Sequence, residues 1–218
     1  SLCGRLPRTD PGMTEFVEDF LLLLNAEGSR RRTLAEGSRR EPRLLLEPPD
    51  HLRKRLNALE AWQRRDPAAC IDFIDQADEA YPGVSGHIDG REFDNARDGD
   101  DLFGPVLEVL AGGDYAWAAY DQIARLRLDE PPSPRDRVFV PAELRTVDGV
   151  DWQVYLPALY PGSERHEDGD VRCGHAVDWI AEADGPVRGV GRRVVQFGDE
   201  ELTLLDFTMW EGSRWHAR

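Results

Sequence analysis

Lysine is nearly missing from this 218-residue chain, with Lys54 the sole example. That scarcity reflects a GC-rich coding sequence and carries no functional reading. Cysteine is scarce as well. Cys3, Cys70 and Cys173 are odd in number and far apart, so no disulfide framework is offered and a reducing, cytoplasmic setting is expected. No long apolar run is present: "FLLLL" at 20–24 is far below the roughly 18 residues that would cross a bilayer. The N-terminus lacks the ordered regions of a secretory signal. Serine-nucleophile motifs of the G-x-S-x-G type are absent, and no arrangement of residues asks for an enzyme.

The acids that are present set the electrostatics. Net charge is −15 and the isoelectric point about 4.7, so nucleic acid and anionic membrane surfaces are poor partners. A basic partner surface would be attracted. Hydrophobic content of 40%, with eight Phe and six Trp, suffices for a packed core. Arginine is dense from Arg30 to Arg65, alternating with leucines and acids at helical spacing, which reads as a solvated helix face.

Periodicity divides the chain. Phe16, Phe20, Leu23 and Leu24 give one helical stripe, with Thr14 as its N-cap and Gly28 as its stop. Met13 offers a natural start, leaving residues 1–12 as not native. The hexapeptide AEGSRR occurs at 26–31 and again at 35–40, a local duplication around a helix end. A second helix is predicted from an Asp50 N-cap, burying Leu52, Leu56 and Leu59. A third starts at Pro67 and buries Ile71, Ile74 and Ala77, ending at Pro82-Gly83. Joined by "RRDP", these two form a tetratricopeptide-type hairpin, which must pack on something to be stable.

After Gly86 the polar "HIDGREFDNARDGDD" reads as a loop, and 101–112 as a short helix with Pro105 in its first turn and Gly112-Gly113 at its end. Strands follow: one containing Ile123, Leu126 and Leu128, a hairpin turning at Asp148-Gly149, and three more with turns at Asp184-Gly185 and Gly198-Asp199. Trp152, Tyr155, Trp179 and Phe197 are expected on the inner face. The expected architecture is α+β, a helical region over residues 1–85 and a small antiparallel sheet or barrel over 86–218.

His166, Cys173 and His175 lie within ten positions and are the natural chemical candidates. Metal spacing would want closer pairs and a fourth ligand elsewhere. Cys–His catalysis needs only spatial contact, so a hydrolase or metal protein centred on 166–175 stands as the alternative reading. "GVGRR" at 189–193 lacks the following helix of a phosphate loop and reads as a glycine bend. The acids Asp94, Asp98 and "DGDD" lack the ligand order of a calcium loop. Catalytic, cofactor and metal residues are therefore all expected to be none.

Several unusual strings then occur in order: I-D-G-x-x-F, D-x-x-G-P-V-L-E, L-P-A-L-Y-P-G-S, "VRCGHAVDW" and "VRGVGRRVVQFGDEELTLLD". Over residues 30–207 the chain resembles the ImpE (also called SciE or TagJ) family of type VI secretion accessory proteins, as an N-terminally truncated member. The resemblance implies a tetratricopeptide-like part ahead of an α+β part. It also implies a non-enzymatic adaptor for the small subunit of the contractile sheath, linked in some systems to the ClpV unfoldase. It puts Cys173 at a leucine-like position, hence a small buried hydrophobe, and His175 at a solvent-facing, arginine-like one. The groove between the 50–80 helices and the sheet is the expected partner surface.

Overall fold

A computed structural model describes residues 11–129, 135–181 and 184–212, with side chains from Phe16 onward. The segment 1–12 lies outside them except for its last two residues. The elements are α1 (Pro11–Thr33), β1 (Arg43–Leu44), α2 (Asp50–Gln63), α3 (Pro67–Ala80), β2 (Ser85–Ile88), β3 (Arg91–Asp94), β4 (Ala96–Asp98), β5 (Val106–Ala111), β6 (Asp114–Ala119), β7 (Ile123–Leu128), β8 (Phe139–Thr146), β9 (Asp151–Pro157), α4 (Gly169–Arg172), β10 (Val177–Ala181), β11 (Val187–Gly191), β12 (Val194–Phe197), β13 (Glu200–Thr203) and β14 (Met209–Gly212).

Nine strands form one sheet in the order β1-β6-β5-β9-β8-β7-β14-β2-β3, far larger than the small sheet expected. Its pairings are antiparallel except β1 against β6, which is parallel. A three-stranded sheet, β13-β12-β4, and the ribbon β10-β11 complete the β structure. Where three C-terminal strands were expected, five occur among the described residues.

The centre of the large sheet is buried on both sides. Leu107, Val109, Ala111, Ala116 and Ala118 belong to one apolar cluster, which also takes in Val195 and Phe197 of β12. Val106, Leu110, Tyr115, Trp117 and Ala119 belong to the other, shared with Leu52, Leu59, Cys70 and Ile74 of the helices. Alternate side chains of β5 and β6 thus enter alternate layers, as the twofold strand period requires. This arrangement corrects the helix expected over 101–112. A short run apolar on both faces has no period to tell helix from strand, and Pro105 sits in the turn before β5 instead of inside a helix. The polar stretch after Gly86 is likewise strands β2, β3 and β4, with Asp89 and Gly90 in the left-handed conformation at the β2–β3 turn.

α1 runs through Gly28 to Thr33, so Gly28 does not stop it and Thr14 lies inside it, not at its start. Of its expected stripe only Leu23 is buried, while Phe16 and Leu24 are about half exposed. Pro49, and not Asp50, precedes α2. The α2–α3 hairpin forms, with Pro67 opening α3, the Asp66 side chain accepting from the Ala69 N–H, and Leu52, Leu59, Ile74 and Ala77 buried, while Leu56 and Ile71, also expected inside, are only half-buried. The β8–β9 hairpin likewise turns at Asp148-Gly149, where Gly149 takes positive φ. Phe197 is buried and Trp152 and Tyr155 are half-buried, but Trp179 is exposed on β10.

Candidate functional site

The stretch from Leu156 to Trp179 is built around turns. Gly162, in the left-handed conformation, starts a single 3-10 turn over Ser163–Arg165. Asp168 then caps α4 by accepting from the Asp170 N–H, and Gly174, again left-handed, ends it. His166 Nδ1 accepts from the Asp168 N–H at 3.1 Å, so the ring proton sits on Nε2, which donates toward Asp178 Oδ2 at 3.3 Å. His175 is exposed, its Nδ1 3.6 Å from Asp170. Cys173 caps the C-terminus of α4 and is exposed, which corrects the expectation of a buried leucine substitute. Its neighbours here are turn backbone and solvent, not a core. Both histidines are oriented by carboxylates and by local backbone, and no strand places Cys173 and His175 on one face. Among the described residues no group of three His, Cys, Asp or Glu is arranged to hold a metal ion.

The polar chemistry lies elsewhere, in the interior between α1 and the sheet. Glu108 of β5 points into the helix-side layer, where it meets Arg30 of α1 through two hydrogen bonds of 2.9 Å. Arg193, just before β12, bridges Glu108 and Asp98 and donates to the Pro157 carbonyl at 3.2 Å. Tyr115 donates to Glu108, and Trp117 Nε1 donates to the Tyr115 hydroxyl at 2.5 Å. Tyr160 donates to Asp98 at 2.9 Å. The Arg193 guanidinium lies between the rings of Phe103 and Tyr160, 4.8 and 4.9 Å from their centroids. Beside this knot Asp100 takes Arg188 Nε at 2.8 Å on both oxygens and the Gly189 N–H at 2.9 Å.

Burial pushes the Glu108 carboxyl up, but Arg30 and Arg193 outweigh it and hold its pKa down at about 2. Asp98 goes the other way: burial dominates over Arg193, Asp100 adds repulsion, and its pKa rises to about 6. Arg193 is held firmly protonated, since its two carboxylates together outweigh burial. Such a network fixes one arrangement of α1, β5 and the 157–193 segments, because each charge left alone in this interior would be costly.

Sequence reasoning missed this knot. Arg30 and Arg55 are buried, whereas Arg31, Arg32, Arg39, Arg40, Arg53, Arg64 and Arg65 are exposed, so the solvated-face reading holds only for the latter. The available signal was an acid inside the apolar "VLEVLA" and an arginine just ahead of "VVQF". The glycine bend read at 189–193 is present: a Cβ on Gly189 would meet the Tyr160 ring at 2.4 Å, and Gly191 has φ 90°. The acids around "DGDD" are in part arginine partners, Asp98 and Asp100 above all.

Over the knot opens a cleft of about 830 Å³ between the C-terminal half of α1, Trp62 of α2, the 157–167 turns and the β10–β11 ribbon. Phe139, Tyr160 and Ile180 give it apolar walls, and Arg31, Arg165 and Arg172 stand at its edge. Arg188 stacks on Trp62 at 4.8 Å. Of the 50–80 helices, whose groove with the sheet was the expected partner surface, only Trp62 lines the cleft; its helical wall is α1.

Together these features define an α+β protein with a structural ion network beneath an open helix–sheet cleft. The sequence pattern of the ImpE protein family matches residues 90–211, and the chain belongs to that family. It is 31% identical over 197 residues to the type VI secretion system accessory component TagJ of Pseudomonas aeruginosa, spanning 90% of this chain and 68% of that one. The crystal structure of VPA1032 from Vibrio parahaemolyticus has the same fold, with a TM-score of 0.81 at 18% identity over 93% of this chain and 75% of that one.

Proposed function

We propose that this chain is a non-enzymatic accessory protein of type VI secretion, an adaptor that holds the small subunit of the contractile sheath and assists sheath recycling by the ClpV ATPase. The observation that carries the reading is the kinship with TagJ along nine-tenths of the chain. The cleft supports it, since apolar walls with a polar edge suit one face of an amphipathic helix. In this reading the α2–α3 hairpin is the remnant of a tetratricopeptide-like part; α1 forms the helical bank of the cleft, to which α2 adds Trp62.

The test is calorimetric titration of the chain with the N-terminal helix of its cognate sheath small subunit, at low and physiological salt. Micromolar or tighter binding is expected. Ile180→Asp places a charge on an exposed cleft wall and weakens binding about tenfold or more, as burying an unpaired charge at an interface does. Cys173→Ala leaves binding unchanged. Absence of binding by the wild-type chain at either salt sinks the adaptor reading.

A further inference from the structure

Helix α1 carries two apolar faces. One is spent on the sheet: Leu23, Ala26, Arg30 and Thr33 are all buried there. The other consists of Val17, Leu21, Leu24 and Gly28, spaced i, i+4, i+7, i+11, and lies on the opposite side of the helix. Leu21 and Leu24 are 42% and 46% exposed, and Val17 and Gly28 are half-buried. Among the described residues this second stripe is left largely exposed, and the contact of α1 with the sheet does not use it. Four small or aliphatic residues at coiled-coil spacing are the seam by which one helix meets another.

The polar residues beside the seam say which helix. Glu18, Asn25 and Arg32 recur every seven residues and so form one edge of the stripe, all three exposed. Acid stands at one end of that edge, base at the other, and a neutral amide at the centre. A second α1 laid antiparallel about Asn25 brings Glu18 of each copy to Arg32 of the other, and Asn25 to Asn25. Leu24 of each copy then packs over Gly28 of the other, in space that the Arg32 head, which lies over Gly28 in the single chain, vacates as it turns to Glu18 of the partner. A parallel pair would instead set this edge against the opposite edge of the partner, so Glu18 and Arg32 would not meet. Antiparallel alignment also sets opposite helix ends together, which the helix dipoles favour.

We infer that the Val17–Leu21–Leu24–Gly28 face of α1 is the interface of a homodimer, formed by antiparallel packing on α1 of a second copy of this chain. The interface is isologous, and one mutation acts twice in it. A single-helix seam is small beside the roughly 800 Å² per partner of standard interfaces, and a net charge of −15 opposes association at low ionic strength. Dimerisation is therefore expected at physiological salt and micromolar concentration.

Sedimentation equilibrium of the full chain under those conditions should give twice the 24.6 kDa of the monomer. Leu21→Glu/Leu24→Glu should sediment as the monomer with an unchanged circular dichroism spectrum, while Leu205→Glu, also exposed but distant in sequence, leaves the dimer intact. Glu18→Arg should weaken the dimer about tenfold, and adding Arg32→Glu to the same chain should restore it, the signature of a reciprocal charge pair. If the double leucine variant loses its helical signal, crosslinking decides. In a Cys3→Ser/Cys173→Ser background, Asn25→Cys joins two chains on oxidation and Glu18→Cys does not. A chain that stays monomeric throughout overturns the inference and leaves the stripe to a helix of another polypeptide. A dimer that survives both leucine changes, or crosslinks at Glu18→Cys in place of Asn25→Cys, overturns it equally.

Discussion

Glu108 is the residue on which the interior turns. Glu108→Gln keeps its shape but leaves Arg30 and Arg193 facing each other without their shared anion, and a loss of about 3–5 kcal/mol is expected at neutral pH. Its pH dependence has a definite sign. The folded pKa of about 2 lies below the ordinary 4.5, so the contribution is complete above pH 4.5 and fades as pH falls toward 2. Asp98, raised from 3.8 to about 6, behaves oppositely: its contribution is complete below pH 3.8 and is lost as pH rises through 6. Urea unfolding from pH 2 to 7 checks both. The gap between wild type and Glu108→Gln should shrink on acidification, and the gap between wild type and Asp98→Asn should shrink on alkalinisation.

The two described cysteines make a second residue-scale test. Exposed Cys173 should react with a thiol reagent in the folded state of a Cys3→Ser chain. Cys70 should not, being fully buried, with burial pushing its thiol up to about 11. Equal reactivity of the two would show that the helix-side layer opens readily.

At the scale of elements, the repeated hexapeptide shows how little six residues decide. AEGSRR is helical at 26–31, where Arg30 reaches Glu108, yet its copy at 35–40 lies past the end of α1 with Gly37 at φ 74°. The same substitution should therefore act in opposite directions. Gly28→Ala, measured at concentrations where the chain is monomeric, should stabilise the fold by up to about 1 kcal/mol, since the new methyl meets only the flexible Arg32 head. Gly37→Ala should cost about 1 kcal/mol, because its backbone is left-handed. Thermal melts of the two variants check the contrast. The same limit governs what could be read in advance. α2, α3 and the β8–β9 hairpin were legible because cap, period and turn agree at Asp66-Pro67 and at Asp148-Gly149. β5 was not, since it is apolar on both faces, and β2 to β4 were not, since short polar strands on outlying pairings carry little alternation. The ion knot escaped for a related reason: its members are separated by up to 163 residues from Arg30 to Arg193, and nothing local marks an arginine as buried.

At the scale of the molecule, helices and sheet share one apolar layer, with Leu52, Leu59 and Ile74 packed in the same cluster as Val106, Tyr115 and Trp117. The division at residue 85 read from periodicity has a direct test in a fragment of residues 86–218. That fragment exposes the helix side of β5 and β6 and leaves Glu108 without Arg30, so it should be unfolded or aggregated by circular dichroism and light scattering. A fragment with a cooperative melt of its own would establish two autonomous parts. Family membership was legible because the ImpE strings fall mostly in strands, turns and the glycine bend of the 86–207 region, where close approach restricts the choice of residue.

The places of β1 and β14, the first and last described strands, give the large sheet a mechanical polarity. Toward the N-terminus, the sheet is entered by the two-residue β1 at its margin, and α1 ahead of it is anchored by packing and by the grip of Glu108 on Arg30. Toward the C-terminus, β14 is clamped inside the sheet, hydrogen-bonded to β7 on one side and β2 on the other. A threading motor that pulls from the front would strip α1 and β1 one contact at a time at low force. One that pulls on β14 must shear two ladders at once, so of these two described strands β1 is the more easily detached.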